Sequence, residues 1–127
     1  MSAAREANAG SKWELEAEEY RRALSVRPSS LEAKEGLGAA IVKSAGKAGS
    51  YLEAERLLAD VVTADGTRSR AWLVLGMARQ LGARPAPAVE AYRKYLELEP
   101  QGPTSADVRA VVRELDRRDV APRRSGR

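Results

Sequence analysis

The stretch WELEAEEY at residues 13–20 is the first place to look for chemistry, because four glutamates crowd there with Arg21 and Arg22 close behind. Carboxylates that converge on one point can do general acid–base work or hold a hard cation. Here Glu14, Glu18, Arg21 and Arg22 stand at i,i+4 and neighbouring spacings, the pattern of weak salt bridges on a solvated helix face. The segment GARPAPA at 82–88 lacks the lysine and hydroxyl of a phosphate loop and reads as a turn. No Gly-x-Ser-x-Gly elbow, nucleotide fingerprint or EF-hand loop occurs. Histidine and cysteine are both absent. That removes imidazole acid–base chemistry, thiolate nucleophiles, disulfides and nearly every protein zinc site. The expectation is a chain with no catalytic residue, no cofactor and no metal.

Charge suggests a binding role only at one end. Residues 103–127 carry seven arginines against four acids, whereas residues 1–102 are nearly balanced at fifteen basic and fourteen acidic groups. Arg117, Arg118, Arg123, Arg124 and Arg127 could contact phosphates, but no aromatic side chain is interleaved to stack on bases. Nucleic acid is therefore a disfavoured partner. Seventeen arginines against five lysines, with abundant alanine, fit the codon bias of a GC-rich, bacterial genome. The apolar runs are too short to cross a bilayer and no apolar core follows MSAAREANAG. With no cysteine, the expectation is a soluble, cytoplasmic chain without membrane insertion.

The elements that must position any site are helices. Ser11-x-x-Glu14, Ser29-x-x-Glu32, Ser50-x-x-Glu53 and Thr104-x-x-Asp107 each match a capping box. A further helix should start near Thr67 or Ser69, and another where Pro85 and Pro87 suit a first turn. Stops fall at Pro28, in SAGKAGS, at Gly66 and Gly82, and in EPQGP. The spacing predicts six helices over 12–27, 30–44, 50–64, 68–81, 86–98 and 104–118. Apolar residues recur at helical spacing throughout, as in Val108, Val111, Val112 and Leu115, and no useful stretch alternates with period two. Residues 1–10 and 119–127 lack such a stripe and are expected to be disordered.

A glycine in the apolar helix AWLVLGMARQLG is the informative anomaly, since Gly76 costs about 1 kcal/mol relative to alanine there. Trp72-x-x-Leu75-Gly76, then Ala88-x-x-x-Tyr92, then Pro100 reproduce a pattern that repeats every 34 residues in one helical-array family. On these residues the chain resembles the tetratricopeptide repeat family, with Arg79 where that pattern has a tyrosine. A shift of 34 lands Ala54 on Ala88 and Leu58 on Tyr92, but Leu37-Gly38 precedes Leu75-Gly76 by 38, so four extra residues lie between and are expected in KSAGKAGS, lengthening a helix end or its turn. One more shift brings Tyr20, Ala23 and Pro28 into register as a second helix without its first. The resemblance implies an all-α, right-handed α–α superhelix of antiparallel pairs. Its divisions are a half repeat at 11–28, a repeat with an insertion at 29–66, a repeat at 67–102 and a cap helix at 103–118. It also implies that Gly38, Gly76, Ala54 and Ala88 are crossing points where paired helices approach closely.

From the same resemblance, the first helices of successive repeats should line a concave groove holding a peptide or helix of another protein. The groove set is Glu35, Ala39, Val42 and Lys43 from one helix and Arg70, Leu73, Met77 and Gln80 from the next. Leu73 and Met77 form a second apolar stripe beside the Trp72–Leu75 face, and either the cap helix or a partner must cover it. Neither first helix contains asparagine, so the family's clamp for a carboxylate terminus is unmatched. The expected function is a non-catalytic interaction adaptor. The alternatives are a homo-oligomeric assembly through the unpartnered N-terminal helix and weak nucleic-acid attachment through the tail.

Overall fold

The computed structural model describes the backbone of residues 2–125 and the side chains of residues 12–118. It contains six helices: α1 (Ser2–Val26), α2 (Leu31–Lys43), α3 (Tyr51–Ala64), α4 (Ser69–Leu81), α5 (Pro85–Leu98) and α6 (Ser105–Ser125). Each packs on the next in sequence, and α2 also packs on α4. Stability in such a stack is a sum over neighbouring interfaces. Among the described residues there is no strand.

Local chemistry sets most helix ends. Ser50 Oγ accepts from the Glu53 amide at 3.0 Å, as the capping pattern implies. At α2 the cap is Ser30, not Ser29, with Ser30 Oγ accepting from the Ala33 amide at 3.1 Å. The Thr104 hydroxyl does not cap α6, because it is hydrogen-bonded to the Tyr95 hydroxyl instead. Pro85 opens α5 at the position where its missing amide costs nothing. The box at Ser11 is passed over, since α1 already begins at Ser2. Ala3, Ala4, Ala7 and Ala9 are strong helix formers, and a capping pattern does not stop a helix that can extend backwards through it. At the other end α6 runs past 118 to Ser125, helped by Arg117 and Arg118 pairing with Glu114 one turn back. The segments 1–10 and 119–127, expected to be disordered, are thus helical where described. Met1, Gly126 and Arg127 lie outside the described residues, as do the side chains of both segments.

The four extra residues lie entirely in a turn. Seven residues join α2 to α3, but only three join α4 to α5, while α2 and α4 are both 13 residues long. Ser44 organises the longer turn: its hydroxyl donates to Ile41 O and accepts from the Ala48 amide, both at 2.9 Å. Arg21 of α1 ties it down by donating to Ala48 O at 2.9 Å and pairing with Glu53 at 2.9 Å. The left-handed residues are Ala45 (φ 56°) and Gly46 (φ 84°) after α2 and Ala83 (φ 64°) after α4, not the glycine expected at 82. Both strained alanines are held by a bond closing back over the helix end, Gly46 N to Ile41 O at 3.0 Å and Arg84 N to Arg79 O at 2.8 Å.

Close crossings explain the helical glycines. A Cβ on Gly76 would lie 2.5 Å from the Tyr92 ring, and one on Gly38 would lie 1.9 Å from Leu58 Cδ2. Ala54 and Ala88 are fully buried at the partner helices. Sequence reading missed a third crossing, between Tyr20 of α1 and Gly36, where a Cβ would sit 2.3 Å from the ring. Ala23, in contrast, is exposed. Among the described residues no helix precedes the half repeat to cover it. Two apolar clusters result, one centred on Leu37, Ile41, Leu58, Val61 and Leu75, the other on Tyr92, Tyr95, Val108, Val112 and Leu115. Trp72 and Met77 touch both.

Candidate functional site: a cleft between α4 and α6

The expected groove residues separate into two groups. On α2, Ala39 and Val42 are buried in the cluster that α2 shares with α4. Glu35 is also buried, with Oε1 3.3 Å from Arg68 and Oε2 3.6 Å from Arg70. These residues seal the α2–α4 junction and do not form a floor. Lys43 is exposed but sits 4.7 Å over the Trp13 ring of α1, so it does not join Arg70 at a rim. The groove expected between α2 and α4 is closed because alanine side chains let the two helices come together.

On α4 the picture is different. Leu73 and Met77 are only half-buried, and Gln80 is exposed. Together with Tyr92 of α5 and Thr104, Asp107, Val108 and Val111 at the start of α6, they surround an open cleft of about 360 Å³. α6 packs on α5 and leaves α4 at a distance. The cleft therefore replaces the contact that α2 makes on the other side of α4. Asp107, Val108, Val111 and Thr104 were not among the groove residues read from sequence. A signal for two of them existed, since a further shift of 34 residues carries Leu73 onto Asp107 and Met77 onto Val111.

Polar groups at the cleft are few and directed. The Tyr92 ring is buried beneath Gly76 while its hydroxyl donates to Gln80 Oε1 at 2.6 Å. Burial pushes the Tyr92 hydroxyl up to about 12, so it remains a protonated donor at neutral pH. With its carbonyl oxygen engaged in this way, Gln80 keeps its amide N–H groups as donors at the lining of the cleft. Thr104 is tied to Tyr95. Asp107 is the single charged side chain of the lining.

A second, larger cleft of about 470 Å³ lies on the opposite side of α4, between α3 and α5. Its polar lining is mixed in sign: Arg79, Arg93 and Lys94 with Glu90 and Glu97. Arg79, standing where the repeat pattern has an aromatic ring, pairs with Glu55 at 3.1 Å and donates to Pro87 O at 3.0 Å. Arg84 pairs with the same carboxylate. Burial alone would raise the Glu55 carboxyl, but hydrogen bonds and charge from Arg84 and Arg79 hold it below its usual value. Arg79 thus serves as an ionic staple between α3, α4 and the start of α5.

The repeat positions read from sequence fall as follows. Leu37, Leu58, Leu75, Ala54, Ala88 and Tyr92 are buried, while Trp72 is half-buried and donates through Nε1 to Gly66 O at 2.9 Å. Tyr20 is half-buried, and Pro28 and Pro100 are exposed in turns. Among the described residues no helix is long and apolar enough to cross a membrane, and no cluster of three or more metal-ligating side chains occurs.

No family model matches the sequence, and neither does any curated protein. Solved structures do match. The TPR domain of Arabidopsis OM64 superposes with a TM-score of 0.71 at 23% identity, covering 87% of this chain and 88% of that one. The second TPR domain of human RPAP3, in complex with the HSP70 peptide SGPTIEEVD, gives 0.69 at 22% identity over 81% and 82% of the two chains. A MamA double mutant, RS-1 ArsTM, gives 0.66 at 23% identity over 86% of this chain and 68% of that one. Six helices in antiparallel pairs, glycine crossings at Gly38 and Gly76 and these superpositions converge on one architecture: the chain has the tetratricopeptide-repeat fold, an all-α right-handed superhelix.

Proposed function

We propose that the protein is a non-catalytic interaction adaptor that holds a segment of another protein in the cleft between α4 and α6. The observation that carries this reading is the pair Leu73 and Met77, large apolar side chains left half open on a rigid helix where the equivalent α2–α4 junction is closed. Apolar anchors of a peptide gain most where they enter a preformed concavity with few, directed polar groups. That a domain of the same fold holds a peptide, as human RPAP3 holds SGPTIEEVD, supports the same use here.

Self-association through α1 has less support. Leu15 and Val26 are the large apolar side chains exposed on that helix, but Glu14, Glu18, Glu19 and Arg22 are exposed between them and break up any continuous patch. The nucleic-acid alternative rests on arginines of which Arg117 and Arg118 are already paired with Glu114.

Replacing Leu73 and Met77 together by glutamate tests the cleft. The double variant should keep its helical circular dichroism spectrum, lose about 1–2 kcal/mol of stability because both residues are half-buried, and fail to bind peptides that the wild type binds. A folded double variant that binds those peptides undiminished places binding elsewhere, and one that unfolds makes both residues core.

A further inference from the structure

We infer that the cleft selects a peptide of another protein that pairs a leucine- or methionine-sized side chain with a nearby lysine or arginine. The inference rests on the adaptor reading above and adds the chemistry of the ligand. Five apolar residues, Leu73, Met77, Tyr92, Val108 and Val111, make the floor, which sets the need for a large aliphatic anchor. Asp107 is the one charge in the lining, is exposed, and forms no ion pair among the described residues.

Asp107 has a role in the fold, since an acid in the first turn of α6 favours the helix N-terminus. That role consumes no hydrogen-bonding partner and leaves the carboxylate free to meet a cation. Arg68 and Arg70, at the start of α4, are both drawn to Glu35. An acidic peptide such as the SGPTIEEVD bound by the RPAP3 domain would therefore bring its carboxylates to Asp107 with no free cation in the lining to receive them. Gln80 completes the recognition. With its carbonyl oxygen held by Tyr92, its amide donates to a backbone carbonyl of the bound segment and so orients it without regard to sequence.

The test is a selection of peptides from a random displayed library against the full chain, followed by anisotropy measurements on synthetic peptides. Enriched sequences should carry lysine or arginine close to a large aliphatic residue. Asp107→Lys, folded as judged by circular dichroism, should weaken a selected peptide about five- to tenfold and flatten its salt dependence. A role confined to the dipole of α6 would alter neither selectivity nor salt dependence. Enrichment of acidic or uncharged peptides that still lose binding with Leu73→Glu would overturn the basic preference and leave the cleft standing. Peptides indifferent to Leu73→Glu would sink the cleft itself. Displacement of the selected peptide by a synthetic copy of residues 119–127, which contain Val120, Arg123 and Arg124, would make the occupant a second copy of this chain and overturn the assignment to another protein.

Discussion

The two sides of α4 teach how a repeat array chooses between a wall and a site. Towards α2, the facing surfaces are built from Ala39, Val42, Val74 and Ala78, all buried, and the Glu35–Arg68–Arg70 cluster closes one end. Towards α6, Leu73 and Met77 meet Val108 and Val111 across a cleft of about 360 Å³. Backbone spacing differs between the two sides, since α2 packs directly on α4 whereas α6 packs on α5 and not on α4. Side-chain size closes one side and the seating of α6 opens the other. Small residues let α2 and α4 close up, whereas α6, seated on α5, leaves Leu73 and Met77 half exposed.

The comparison is most sharply broken at the crossing that aims Tyr92 into the cleft. Gly76→Leu should cost about 3 kcal/mol or more, because even a Cβ there would lie 2.5 Å from the buried Tyr92 ring. Thermal denaturation reads this directly. A variant melting within a degree or two of wild type would show that α4 and α5 do not cross closely at Gly76.

Next in size is a matched pair of enlargements. Ala39→Leu, on the closed side, should destabilise by about 1–3 kcal/mol, while Val111→Leu, on the open side, should change stability by less than about 0.5 kcal/mol. Urea titration of the two variants decides the matter. Equal losses would mean that the α4–α6 side is as tightly packed as the α2–α4 side.

The smallest effect is a dependence on alkaline pH. The folded-state Tyr92 hydroxyl titrates at about 12 against an ordinary value of 10.0. Between those values the unfolded chain releases the proton and the folded chain keeps it, so stability falls as pH rises through the window and levels off above it. The loss should be no more than about 2 kcal/mol, because the hydroxyl reaches the cleft edge, where solvent softens the burial. Tyr92→Phe should abolish that part of the alkaline decline in denaturant midpoints. An unchanged decline would show that the hydroxyl is solvated and leave Gln80 without its fixed orientation.

Much of the architecture was legible before any coordinates. Helix number and type followed from apolar spacing, and the interval between Gly38 and Gly76 announced the inserted turn, because a helix must bury a regular stripe and a close crossing must omit a side chain. Boundaries were less legible. Adjacent hydroxyls such as Ser29 and Ser30 compete for one cap, and Thr104 was diverted by a tyrosine distant in sequence. The burial of three of the expected groove residues escaped the sequence for a similar reason. Exposure of Glu35, Ala39 and Val42 depends on how near α4 comes, which no pattern within α2 records.

By itself, then, the order of residues determined what each segment becomes: a helix with an apolar stripe, a glycine where a partner must approach, and no side chain suited to imidazole or thiolate chemistry. Where an open cleft lies was decided only in three dimensions. The distance between α4 and α6 is set indirectly, by Val108, Val112 and Leu115 seating α6 on Tyr92 and Tyr95, and by the 99–104 connection in which Ser105 Oγ donates to Glu99 O. Those contacts join different elements of the chain, and the cleft is the space they leave between two helices that each satisfied its own stripe elsewhere.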